Sequence, residues 1–332
     1  MGQILGLGIT HYPPLSYKGN MTGRIKLLVA DPMLPERLRT PAGWHPTARE
    51  QWSTDEGAAH SDKHRDDLIH HFRKARAELD AFQPDFVLLW GDDQYENYRE
   101  DCVPPFSILA YDSVDVQPWK GHRAGAKYLA SALLGDGVDV AYSYKPLHHP
   151  LGHAFMNSIL YLDIDRKGFP YPVVPFTVNS YGRWLIGAHG APMTPSQAAK
   201  LGSQSELDPP GPQPWRCFQI GGAIARALAA SPWKVAVIAS SSWSHSFLVQ
   251  KTSLMFPDVE SDRRYYEALR DGDWATWKNT TIEEAEDRGH HELLNWFCLA
   301  GAMAELRRKP DESVFLESWI SNSDKVFAVF RP

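Results

Sequence analysis

Hydrophobic residues in this chain gather into two alternating kinds of segment. Short, near-continuous apolar runs, ILGLGIT, DFVLLWG, YPVVPFTV and KVAVIAS, have the length and β-branched content of strands buried on both faces. Between them, apolar residues recur at helical spacing. Leu68, Ile69, Phe72, Ala75, Ala77 and Leu79 form one stripe of a helix over 60–82, stopped by Pro84. Further helices are predicted over 122–134, 154–162, 215–230 and 290–307, and the charged segment 262–286 reads as helical in pieces. Residues 138–144 read as another strand, YPVVPFTV as a central one and VFAVF as a last strand at the sheet edge.

Alternation of this kind predicts an α/β fold, a three-layer α/β/α arrangement around a central mixed, largely parallel sheet. Neither a repeat nor a domain boundary is visible, so residues 1–332 are expected to form a single domain. Two stretches interrupt the rhythm. Residues 12–58 are rich in Pro, Gly and Trp and too long for a simple connection, which suggests a lid or an interface. Residues 182–214, rich in Gly, Pro and Ser, read as a surface insertion.

Composition narrows the function. The chain is 43% hydrophobic with a net charge of −6, enough for a large core and without a basic face for nucleic acid. No apolar run is long enough for a membrane span, and the N-terminus lacks the pattern of a secretory signal. Cys102, Cys217 and Cys298 are too scattered for a disulfide framework or a zinc site and fit reduced thiols in a cytoplasmic protein.

The chemistry sits where the strands end. Open α/β sheets bind ligands beyond the carboxyl ends of their strands. There ILGLGIT delivers His11, DFVLLWG delivers Asp92, Asp93 and Gln94, and KVAVIASSSWSH delivers Trp243 and His245. His153 lies at a loop-to-helix junction in PLGHAF, and Glu292 follows His290 and His291 near a helix start. Each has a plainer reading: a hydrogen-bonded structural histidine for His11 and His245, a helix cap for His153, an electrostatic cap for Glu292. His60 and His64 have metal-chelating spacing, but HSDKH lacks the glutamate of a metalloprotease, and a solvated helix start is expected. Tyr12 and Trp243 are candidates to pack against an aromatic ligand or to fill the core.

Taken together, GITHYPPL, FQPDFVLLWGDDQYENYREDCVPPF, DVAYSY, GHAF, VPFTVN, SSSWSH and GHHELLNW resemble, in order and spacing, the class III extradiol ring-cleavage dioxygenases. That superfamily includes the protocatechuate dioxygenase catalytic subunit and the dihydroxyphenylpropionate dioxygenases. The resemblance implies an iron(II) centre held by two histidines and a glutamate. Here it assigns His11 and Glu292 as metal ligands, His245 as base and His153 as the second catalytic histidine. The second ligand histidine is matched by Gln94, ten residues before Pro104. An amide oxygen binds iron(II) more weakly than imidazole. Gln94 as a weak ligand, an inward Asp92 or Asp93, a reach from His60 or His64, zinc, or loss of the metal all stay open.

The residue types suit the chemistry independently. Triplet O₂ reacts slowly with singlet organic molecules, and three protein ligands leave a redox metal positions for both substrate oxygens and O₂. A neutral histidine can take a hydroxyl proton, and a second can return one. The expected activity is opening of a catechol or related hydroxylated aromatic with O₂. A hydrolase or lyase on the same scaffold and a non-catalytic subunit are the alternatives. A homo-oligomer or a small partner subunit is the expected assembly.

Overall fold

The computed structural model describes residues 2–16, 21–112, 119–190, 193–200 and 208–332. Eight strands build one sheet: β1 (Gln3–Ile9), β2 (Phe86–Asp92), β3 (Phe106–Leu109), β4 (Ala141–Ser143), β5 (Val173–Val178), β6 (Lys234–Ser240), β7 (Glu312–Leu316) and β8 (Lys325–Phe330). Their order is β4-β3-β5-β2-β6-β1-β8-β7. The centre, β5-β2-β6-β1, is parallel throughout, while β3 pairs antiparallel with β5 and β8 antiparallel with β1.

Side-chain alternation along each central strand feeds two cores. Phe86, Leu88 and Trp90 of β2 face the helices Arg123–Gly135, Pro214–Ala230 and Leu294–Glu305, together with Val235 and Val237 of β6. Val87 and Leu89, with Leu5, Leu7 and Ile9 of β1, face the helices Ala58–Phe82 and His153–Leu162. Burial on both sides is why these strands read as unbroken apolar runs. The α/β class and the largely parallel sheet follow as expected. One correction concerns VFAVF: β8 lies between β1 and β7, and β7 is the edge. The polar ESVFL of β7, half-exposed along most of its length, gave too weak an alternation to be seen as a strand.

The register matters most for function. Ile9 of β1 stands opposite Ser240 of β6, Trp90 of β2 opposite Ala239, and Asp92 opposite Val178 of β5. Parallel pairing at these positions brings the four carboxyl ends to one rim. Within 12–58, the helices Gly23–Val29 and Pro46–Trp52 close a small core of Ile25, Leu28, Leu38 and Trp44 against Met255 and Phe256. Its Arg24 donates to the carbonyls of Met193 and Leu254, at 2.7 and 3.0 Å. The insertion packs Tyr181, Leu185 and Met193 against Phe247 and Leu248. Parts of both stretches, 17–20, 191–192 and 201–207, lie outside the described residues.

Candidate functional site at the strand rim

His11 is the centre of the rim. Its Nδ1 lies 3.1 Å from the Ser240 carbonyl, which can only accept, so Nδ1 carries the proton and Nε2 presents a lone pair. That lone pair faces two carboxylates, Asp92 Oδ1 at 3.5 Å and Glu292 Oε2 at 3.4 Å. His245 Nε2 approaches the other Glu292 oxygen at 3.3 Å. His153 meets the His11 ring edge-on with centroids 5.1 Å apart. Its Nδ1 lies 3.1 Å from Glu96 Oε2 and its backbone N–H donates to Glu96 Oε1 at 2.9 Å.

Two glycines allow this convergence. Gly8 of β1 lies against Trp296, where a Cβ would come within 2.0 Å of the indole, so the helix carrying Trp296 can settle on the strand. Gly289, at φ +68°, accepts a hydrogen bond from the His245 backbone N–H at 2.9 Å and leads into the turn bearing Glu292. A side chain there would be strained and would collide with the His245 backbone.

The electrostatics are those of charges taken out of water. His11, Asp92, His245 and Glu292 are all buried. Burial and the neighbouring Glu292 charge push the Asp92 carboxyl up to about 7. Burial works against Glu292 too, but His245 and His11 outweigh it and hold that carboxyl down at about 2. Burial lowers His245, whereas at His153 the Glu96 carboxylate overcomes burial and lifts the imidazole to about 9. Groups of like type are thus driven apart, as in sites that need an acid and a base at one pH.

Asp92 Oδ2 and Glu292 Oε2 are buried without a hydrogen-bond partner. An anionic oxygen left this way is costly unless a cation meets it. Ligand atoms of His11, Asp92 and His153 lie within 4.8 Å of one another, and Glu292 Oε2 lies 3.4 Å from His11 Nε2. Both the donor set and the unpartnered oxygens fit a hard or borderline metal ion.

Gln94 is placed differently. Its Nε2 donates to the Tyr181 hydroxyl, and that hydroxyl donates to Glu292 Oε1. His60 and His64 stand elsewhere: His60 Nε2 lies 2.9 Å from Ser318 Oγ, and His64 is buried rather than solvated as expected. Asp93 caps the following turn by accepting from the backbone of Glu96 and Asn97. Trp243 packs edge-on against Trp277 and Trp296 in the core, and Tyr12 is buried beneath the Lys325 ammonium. Sequence reasoning missed Glu96, Tyr181 and Asn295, whose Nδ2 donates to the Ser240 carbonyl at 3.2 Å. Tyr181 follows the end of β5 and was open to the same strand-end argument that found the others. Glu96 and Asn295 carried no signal of their own.

A second buried polar cluster adjoins the first in sequence. Asp262 accepts from Ser244 Oγ at 2.6 Å and Ser244 N at 3.1 Å, and lies 2.7 Å from His290 Nε2.

Residues 193–328 match the family model described as the catalytic LigB subunit of aromatic ring-opening dioxygenase, a span that includes His245 and Glu292. Curated relatives are 2,3-dihydroxyphenylpropionate/2,3-dihydroxicinnamic acid 1,2-dioxygenases. That of Paraburkholderia xenovorans LB400 is 33% identical over 178 residues, covering 52% of this chain and 46% of the relative. That of Paraburkholderia phymatum is 30% identical over 180 residues, covering 52% and 47%. That of Burkholderia vietnamiensis G4 is 27% identical over 263 residues, covering 70% and 79%. The match thus spans about half the length of the first two relatives and most of the third.

Proposed function

We propose that this chain, which is similar to the class III extradiol dioxygenases, is an iron(II)-dependent dioxygenase opening the ring of a catechol or related hydroxylated aromatic. Both oxygen atoms of O₂ enter the product as the ring bond beside the diol breaks. One observation carries the reading: His11, Glu292 and Asp92 face one point with carboxylate oxygens unpartnered, and His245 and His153 flank it.

His11 and Glu292 would hold the metal. Bound iron(II) would supply open positions for the substrate oxygens and O₂, and the electronic coupling that lets triplet oxygen react with the ring. The remaining work belongs to the side chains. His245, held below the ordinary histidine value by burial, is the group to take the proton of a catechol hydroxyl. Glu96, on the Nδ1 side of His153, fixes that ring so that its other nitrogen serves as proton donor to the oxygen side. Burial of His11, Asp92, His245 and Glu292 keeps bulk water from the metal side of the oxygen chemistry.

The test is anaerobic loading with iron(II), followed by oxygen uptake over a panel of catechols. One O₂ consumed per substrate, with loss of aromatic absorbance, is the expected result. A fully iron-loaded protein that consumes oxygen with no hydroxylated aromatic would contradict the reaction assigned.

A further inference from the structure

We propose that in this chain Asp92, rather than Gln94, completes the metal site, so that the ion is held by one histidine and two carboxylates, His11, Asp92 and Glu292. The inference rests on the metal-dependent reading above and refines it. Its first ground is spacing. Metal–ligand bonds of about 2.1 Å set neighbouring octahedral ligands about 3 Å apart. Asp92 Oδ1 and Glu292 Oε2 each stand within reach of His11 Nε2, at 3.5 and 3.4 Å, so both carboxylates can close around an ion bound at that nitrogen.

The second ground is hydrogen-bond accounting. Asp92 Oδ2 is buried and has no partner. Its Oδ1 has only long contacts, 3.5 Å each, with Asn295 Nδ2 and His11 Nε2. Two buried carboxylates facing the same histidine nitrogen repel each other, and a divalent cation bound there removes both the repulsion and the unpaired lone pairs.

The third ground is that Gln94 is engaged elsewhere. Its amide binds the Tyr181 hydroxyl, which in turn binds Glu292. Asp92, by contrast, is the last residue of β2 and is registered against Val178, so its carboxylate is fixed by the sheet. Two carboxylates neutralise a divalent ion in full, whereas two histidines and one carboxylate leave a single positive charge. The harder oxygen donor set should also admit manganese(II) readily.

Manganese(II) alone is therefore the probe, titrated into the metal-free full-length chain with unbound ion read by electron paramagnetic resonance. Wild type should bind one ion. Asp92→Asn should weaken binding about a hundredfold or more, and Gln94→Ala by no more than the roughly tenfold loss of an outer-shell residue. Thermal unfolding of each variant shows whether it is folded, and the Gln94→Ala arm decides even if Asp92→Asn does not fold. Unchanged affinity in folded Asp92→Asn, or a larger loss in Gln94→Ala, would overturn the assignment while leaving the metal-dependent reading in place. Failure of wild type to take up either manganese(II) or iron(II) would overturn that reading, and the assignment with it.

Discussion

Two buried polar clusters lie side by side in the sequence yet differ in how the carboxylates at their centres are partnered. Ser244 and His290 belong to the first, where both Asp262 oxygens have partners. His245 and Glu292, one and two residues further along the chain, belong to the second, where Asp92 Oδ2 and Glu292 Oε2 have none. A buried charge whose hydrogen bonds are complete ties elements together. One left incomplete costs stability and is kept for what it can bind. The Asp262 carboxylate therefore has the partners of a structural group, whereas the Asp92 and Glu292 carboxylates have the open oxygens of a binding one.

The sharpest way to break this contrast is to remove a member of the incomplete cluster. His11→Ala or Glu292→Ala should lower turnover on the order of a thousandfold or more, about 4 kcal/mol of barrier. Thermal unfolding of the metal-free protein should fall for Glu292→Ala, which loses its contacts with His11, His245 and Tyr181, by less than turnover does. Next comes the complete cluster. Asp262→Asn should cost about 3 kcal/mol of stability in a denaturant titration, with activity per folded molecule retained. A variant that stays stable while losing activity would abolish the distinction.

His153→Gln refines it further. Turnover should fall about a hundredfold while metal content stays at the wild-type level, since the proposed role is proton donation. Smallest of all is the surface. Arg331 bonds Glu78 at 3.1 Å and Glu312 at 2.6 Å in the open, and Arg331→Ala should change stability by about 0–1 kcal/mol.

The sheet interior was legible in the sequence because burial on both faces leaves an unbroken apolar run, as in KVAVIAS. Two outer strands were not, although the edge strand β4 falls within the predicted 138–144: β3 offered only FSIL, and β7 mixed polar and apolar residues without clean alternation. At the site, His11, His245 and Glu292 were visible because a strand end or a helix start marks them. The partners that orient them depend on contacts across the fold that no local pattern encodes. Glu96 reaches a residue 57 positions away, and Tyr181 reaches Glu292 across 111. Gln94 was matched by its distance from Pro104, a relation along the chain that says nothing about where its amide points.

The central claim is that His11 and Glu292 converge on a redox-active ion open to small ligands. Electron paramagnetic resonance of the anaerobically iron-loaded protein under nitric oxide reads this directly. Wild type should give the high-spin iron–nitrosyl signal, altered by added catechol, and Glu292→Ala should lack it. A wild-type chain with no such signal, or a signal that persists undiminished in folded Glu292→Ala, would contradict the account.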